Sequence, residues 1–255
     1  ALMTKPIPCP HGRCTYCPGG LNSKFGDVPQ SYTGGEPATM RAIRNNYDPY
    51  LQVFNRLEHY ILLGHSVDKI EIIVMGGTFT SFNKKYQEEF IKYTFKAMND
   101  FSKLFFKKDG TLNYNKFKKF FNLPTKDFQS EERTKIIHKK LLELKGNCKL
   151  KEEQEKNETT KVRCIALCIE TKPDWGLLEH GNQMLKLGCT RVELGIQSVY
   201  EDVIKKIHRG HTIKDTINSI RNLKDLGFKI SAHYMPGLPL TNKKRDLAGM
   251  KELFS

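Results

Sequence analysis

No apolar run in this 255-residue chain approaches the roughly 18 residues that a membrane-crossing helix needs. Nor do the first residues carry the charged-then-apolar pattern of a signal segment. No membrane association is therefore expected. A disulfide framework is missing too. The seven cysteines are an odd number, three are bunched near the start, and Cys148, Cys164, Cys168 and Cys189 are scattered, with Cys164 and Cys168 in an apolar run that reads as core. A reducing, cytoplasmic compartment follows from that usage. There is no Walker phosphate loop and no Ser-His-Asp arrangement, which sets aside two common catalytic plans. Hydrophobic residues make up 38% and mean hydropathy is −0.53, so the chain reads as soluble. Its length suits one large domain or two small ones.

Positive charge is in excess. The formal net charge is +14 with a pI near 9.4, and a polyanion such as RNA is the natural partner for it. Residues 101–163 carry 17 Lys or Arg against 9 Asp or Glu, while the other 192 carry 25 against 19. Over half of the excess thus sits in a quarter of the chain. That stretch mixes aromatic and basic segments, a Lys-rich amphipathic helix near 130–145 and a polar run at 149–161. It reads as a solvated, partly mobile insertion whose lysines are also available to an RNA backbone.

The densest chemistry lies in Cys9-Pro10-His11-Gly12-Arg13-Cys14-Thr15-Tyr16-Cys17, followed by Pro18-Gly19-Gly20. Three thiols on one loop can wrap a single metal centre. From spacing alone three possibilities stay open. They are structural zinc with His11 as fourth ligand, a three-cysteine iron–sulfur cluster with one iron free, and chance or disulfide pairing.

Residues 1–8 read as the tail of a strand, and residues 18–39, rich in Gly, Pro, Ser and Thr, as an irregular cover. Asp48-Pro49 opens a helix whose apolar positions run from Tyr50 to Ile61, with Gly64 closing it. Residues 70–75 form a short β-branched run followed by Gly76-Gly77-Thr78-Phe79, and helical spacing resumes over 84–100. Beyond the insertion, strands at 164–169, 191–196 and 228–235 alternate with helices at 176–187, 200–207 and 212–226, and a last helix runs toward Phe254. The fold class is α/β, a partial parallel β/α barrel of five strands. Its first part is 1–100 with the cysteine loop, its second part 164–255, and 101–163 is a basic, mostly helical insertion between them.

The strands end in polar or glycine-rich tips: Gly76-Gly77-Thr78, Glu170-Thr171-Lys172, Gln197-Ser198 and His233. In such a barrel these tips converge on the mouth that holds the cysteines. Gly-Gly after a strand lets backbone approach a ligand closely. Glu170 and Glu193 lie on or beside apolar strands, where a carboxylate needs a partner such as Arg191 or a ligand's hydroxyl or amino group. His233 reads as a hydrogen-bonded core histidine.

A three-cysteine loop after the first strand and Gly-Gly after the second resembles the radical S-adenosylmethionine (SAM) enzymes. More closely, the chain resembles the catalytic subunit of Elongator. The segments that carry this are Cys14-Thr15-Tyr16-Cys17-Pro18-Gly19-Gly20, Gln30-Ser31-Tyr32-Thr33-Gly34, Met40-Arg41-Ala42-Ile43-Arg44, Tyr47-Asp48-Pro49-Tyr50, Leu63-Gly64-His65-Ser66-Val67-Asp68-Lys69, Val74-Met75-Gly76-Gly77-Thr78-Phe79, Ile169-Glu170-Thr171-Lys172-Pro173-Asp174 and the stretch from Gly195 to Val203. They span 1–100 and 164–255. The resemblance implies a barrel of the radical SAM type and a tRNA-modifying acyltransferase acting at C5 of the wobble uridine in the anticodon region. A radical made from SAM would activate the acetyl group of acetyl-CoA, which ends as a carboxymethyl on the base.

It further implies a 4Fe–4S cluster on Cys9, Cys14 and Cys17, SAM contacts at Gly76, Gly77 and Thr78, and further SAM-side contacts at Glu170, Glu193, Gln197 and Ser198. Lys69 matches the family's acetyl-CoA contact and is the catalytic-site lysine on this reading; Arg41 and Arg44 are RNA-backbone candidates. A homo-oligomer or Elongator-like subunits are the implied assembly.

The chain departs from most radical SAM enzymes in its x4-x2 cysteine spacing and in Thr78 where an acidic residue is usual, and both departures fit the subfamily. One barrel strand and the family's C-terminal acetyltransferase domain are missing, so a truncated chain is expected. The alternatives are a radical SAM enzyme on another substrate and a non-catalytic, zinc-bound RNA-binding module.

Overall fold

Five segments form a single sheet in the computed structural model, which describes residues 1–128 and 130–254. They are β1 (Leu2–Met3), β2 (Lys69–Met75), β3 (Arg163–Thr171), β4 (Arg191–Gln197) and β5 (Lys229–Tyr234), neighbouring one another in that order. The pairings of β1 with β2, β3 with β4 and β4 with β5 are parallel. β1 is short because Pro6, Pro8 and Pro10 have no N–H to donate to a ladder. On β3 and β4 the apolar residues Leu167, Cys168, Ile169, Val192, Leu194 and Ile196 are almost fully buried, as the covered part of a parallel sheet requires.

Ten helices accompany the strands among the described residues: α1 (Pro37–Arg44), α2 (Pro49–Leu62), α3 (Lys84–Phe105), α4 (Tyr114–Phe120), α5 (Glu131–Lys145), α6 (Leu150–Asn157), α7 (Leu178–Lys186), α8 (Glu201–Lys206), α9 (Ile213–Asp225) and α10 (Lys243–Leu253). None is long and apolar enough to cross a membrane. Their starts obey local chemistry. Asp48 Oδ1 accepts from the backbone N–H groups of Tyr50 and Leu51, and Thr212 and Asp215 cap each other's backbone at the head of α9.

The chain divides into two compact units. The first comprises 1–43, 72–87 and 166–255, and the second 44–71 and 88–165. This differs from the linear division at 101–163. α2 and most of α3 join the basic stretch because they share one aromatic core with it. Tyr50, Phe54, Phe101, Phe105, Phe117 and Phe121 are each buried, with successive ring centroids 4.7–5.5 Å apart. Arg133 and Glu58 form an ion pair inside that unit, and Arg133 also donates to the Phe121 carbonyl.

Within the polar run at 149–161, Leu150–Asn157 form α6, a helix that the sequence reading did not assign. Its anchor is a hydrogen-bond network: Asn99 Nδ2 donates to Glu153 at 2.8 Å, and Asn157 Nδ2 donates to Asn99 at 2.8 Å and to the Val162 carbonyl at 3.1 Å. β3 also runs two residues past the expected end, taking Glu170 and Thr171 into the strand.

Phe101→Ala should lower the stability of the folded chain by about 3–5 kcal/mol, the usual cost of deleting a core ring. Leu63→Ala, at a site 69% exposed, should stay within about 0.5 kcal/mol of the parent. Urea unfolding followed by circular dichroism measures both, and equal effects would contradict the aromatic core.

Candidate functional site

The carboxyl ends of β2, β3, β4 and β5 and the cysteine loop line one cavity of about 680 Å³ in the first unit. A parallel sheet sends all its strand ends to one side, which is why residues far apart in sequence meet here. Cys14 and Cys17 are 2% and 5% exposed. The loop is held by Gly12 N donating to Cys9 O at 3.0 Å, Cys17 N to Cys14 O at 3.1 Å and Thr15 N to Ile207 O at 3.1 Å. Arg13 clamps it from outside by donating to the carbonyls of Cys17 and Pro18. Tyr16 packs on an apolar cluster of Val203, Ile204, Ile207 and Leu238.

Each thiol has polar company. Cys17 Sγ lies 3.1 Å from Ser31 Oγ, and Cys14 Sγ lies 3.1 Å from His11 Nε2. Burial pushes the Cys9 thiol up, opposed by a hydrogen bond with Thr78. Cys14 and Cys17 hydrogen-bond each other; that contact pushes Cys14 up and, with help from Ser31, Gln30 and Arg209, holds Cys17 down to about 5. The pair thus surrenders one proton readily, as a metal ligand set must. Burial also lowers His11 to about 4, helped by the charges of Lys172 and Arg209, so its ring is neutral.

Gly77 and Thr78 line the cavity from the end of β2. Gly76 shapes it from behind: at φ +120° its hydrogen occupies space where a Cβ would meet Thr4 Oγ1 at 2.4 Å. Across the cavity Glu170 and Glu193 sit in register on β3 and β4. Burial first, and the Glu193 charge second, push Glu170 up to about 8, while a hydrogen bond with Tyr32 pulls the other way. Glu193 accepts from Arg191 and meets His233 Nε2, each at 3.2 Å. Arg191 is thus the internal partner foreseen for Glu193, whereas Glu170 has Tyr32.

His233 is hydrogen-bonded as foreseen but is not core: its side chain is 51% exposed and faces the cavity. It belongs to the last strand in the sheet order, which leaves it more open than a central strand would. Gln197 reaches the cavity from the end of β4 through a left-handed backbone (φ 71°) where the register with β5 shifts.

Other foreseen residues lie apart from the cavity lining. Ser198 is 1% exposed and accepts from the Tyr200 N–H. Lys69 is exposed at the first position of β2, the opposite end of the strand from Met75. Arg41 is 8% exposed and donates to the Ala1 carbonyl at 2.8 Å, whereas Arg44 keeps more exposure. Sequence reasoning assigned no site role to Gln30, Ser31, Tyr32, Lys172 or Arg209, all of which line the cavity. The first three fall in a segment already singled out as a motif, which was signal enough. Lys172 likewise falls in a strand tip already singled out, whereas Arg209 carries no local pattern.

The residues present suit a three-thiol cluster with an organic ligand beside it. Structural zinc sites are closed tetrahedra, but these thiols open onto a cavity of ligand size. Its walls hold buried polar atoms with no partner among the described residues: His11 Nδ1, Gln197 Oε1 and Arg209 Nε. Such atoms need partners that a bound ligand can provide.

Comparison with known proteins agrees. The profile of the Radical SAM superfamily matches residues 6–249. The chain is 46% identical over its whole length to a tRNA uridine(34) acetyltransferase of Methanocaldococcus infernus, covering 40% of that protein. It is 39% identical to human Elongator complex protein 3, covering 39% of it. The chain therefore spans about two fifths of the length of these curated relatives. A solved structure of the archaeal Methanocaldococcus infernus Elp3 with an N-terminal deletion superposes with a TM-score of 0.65 at 39% identity, covering 84% of this chain and 40% of that one.

Folding raises Glu170 from 4.5 to about 8, so the folded state holds a proton that the unfolded chain releases between those values. Its contribution to stability is complete below pH 4.5 and is lost as pH rises through 8. Glu170→Gln cannot ionise. From pH 5 to pH 9, the wild-type urea midpoint should therefore fall by more than that of the variant; parallel curves would refute the buried protonated carboxyl.

Proposed function

Because the chain belongs to the Radical SAM superfamily, we propose that it is the SAM-cleaving portion of an enzyme that acylates the wobble uridine of tRNA with acetyl-CoA as co-substrate. The observation that carries this reading is that Cys9, Cys14 and Cys17 face the same cavity as the polar tips of four strands. In the proposal the three thiols hold a 4Fe–4S cluster. When bound and reduced, such a cluster supplies the electron for cleavage of the SAM sulfonium.

The chain's own residues bind and orient. Gly77 and Thr78 bring backbone and a hydroxyl beside Cys9, where an amino group of the cofactor would be received. Glu170, held protonated near neutral pH, can donate to a hydroxyl, and Gln197 offers an unpaired acceptor. Glu193, fixed by Arg191 and His233, is a second acceptor on the same wall. Burial of Cys14 and Cys17 excludes water from the thiols.

Acetyl-CoA is proposed to touch Lys69 through its phosphates, for which a compact exposed ammonium is suited. This makes Lys69 a binding group rather than a reacting one. Arg44 and the exposed lysines of α4 and α5 are the proposed contacts for the anticodon region of tRNA. Subunits like those of Elongator, or a second copy, are the proposed assembly partners. A cytoplasmic setting accords with seven unpaired cysteines.

His11 beside Cys14 favours one rival, a zinc site with His11 as the fourth ligand. Anaerobic reconstitution with iron and sulfide, followed by reductant and SAM, separates the two. Wild type should form 5′-deoxyadenosine and Cys14→Ala should form none. Retained zinc, with no uptake of iron or sulfide, would hand the site to the rival.

A further inference from the structure

Arg209 stands 195 residues from Cys14 in sequence, yet its Nη1 lies 3.7 Å from the Cys14 sulfur. Its Nη2 donates to the Gly195 carbonyl at 3.0 Å, and its Nε has no partner among the described residues. The side chain is 8% exposed. A buried guanidinium held only by a sulfur and a carbonyl is expensive to keep. Lys172, the other buried cation at the cavity, differs: its ammonium is paired with Asp174 at 3.1 Å. Arg209 therefore brings an unbalanced positive charge to the thiols.

The backbone makes room for it. A Cβ on Gly195 would stand 2.4 Å from Arg209 Nη2. On Gly210 (φ +80°), a Cβ would stand 2.4 Å from the Cβ of His11. The hydrogen bond from Thr15 N to Ile207 O ties the cysteine loop to the segment that carries Arg209. Arginine and loop are thus built as one piece. An arginine suits the place better than a lysine, since its planar fork reaches the carbonyl and the sulfur together.

We propose that Arg209 is the counter-charge of the iron–sulfur cluster, retaining it and raising its reduction potential. The proposal rests on the cluster reading above. Three thiolates around a 4Fe–4S core leave net negative charge, and the electron that reduces the core adds one more. A fixed cation a few ångströms away in a dry site favours the reduced form over the oxidised one. The electron comes from a low-potential, one-electron donor protein or dithionite, and no proton or bond change accompanies it. Arg209 is a positioning residue here, acting on the cluster through Cys14.

The test is an anaerobic redox titration, followed by electron paramagnetic resonance, of reconstituted wild type, Arg209→Lys and Arg209→Gln without SAM. Iron and sulfide are counted in each. Arg209→Gln should lower the one-electron reduction equilibrium about tenfold, a fall of about 59 mV in midpoint, and should lose iron faster to a chelator. Arg209→Lys, which keeps the charge, should recover most of that fall. Gly195→Ala, which crowds Nη2 off its carbonyl, is the second variant should Arg209→Gln not fold, and its midpoint should fall as well.

A midpoint unchanged in whichever of the Gln and Ala variants loads iron would overturn the assignment. So would an unchanged midpoint with weakened SAM binding, which would make Arg209 a clamp for the cofactor's carboxylate. Wild type that takes up no iron would instead sink the cluster reading itself, with the proposal falling as its consequence.

Discussion

Everything at this site depends on three sulfur atoms being held, dry, against the carboxyl ends of a parallel sheet. Thiols buried next to one another are not stable company once they ionise: each thiolate raises the cost of the next. The structure meets that constraint with hydrogen-bond donors and cations drawn from everywhere in the first unit. Ser31 serves Cys17, Thr78 serves Cys9, and Arg209 stands beside Cys14. Only a parallel sheet, with all its strand ends on one side, could collect partners so far apart in the chain.

The cavity that results is polarised. Lys172 and Arg209 stand at the thiol end, while Glu170, Glu193 and His233 gather on the strands opposite. One carboxyl there is kept protonated by burial, so that wall can offer both donors and acceptors near neutral pH. A ligand carrying a carboxylate, an amino group and sugar hydroxyls matches that distribution of charge. The second unit is stabilised quite differently, by a phenylalanine core and an internal Arg–Glu pair. The exposed lysines of α4 and α5 point away from that core, and a polyanion is the partner their charge suits.

Much of this was legible in the residues. Parallel strands announced themselves as short β-branched runs, helix starts as Asp48-Pro49 and Thr212, and the loop whose thiols face the cavity as three cysteines followed by Pro-Gly-Gly. What escaped was held by long-range polar contacts. The 149–161 run has no hydrophobic period, because α6 is anchored by Asn99, Glu153 and Asn157 rather than by an apolar stripe. Arg209 follows a short helix with no motif around it, and only the fold brings it to Cys14. His233 looked like core because β-strand burial is the usual rule, but its strand is the last in the sheet order. The two compact units do not follow the linear order for a related reason: the aromatic face of α3 has partners on both sides of it in sequence.

The central claim is that three thiols, and not four ligands, hold the metal centre and leave one iron open to SAM. Mössbauer spectroscopy of the protein reconstituted with iron-57, recorded before and after SAM is added, tests this most directly. One iron in four should change its isomer shift on addition of SAM while the other three keep theirs. Four irons that respond alike, or not at all, would contradict it.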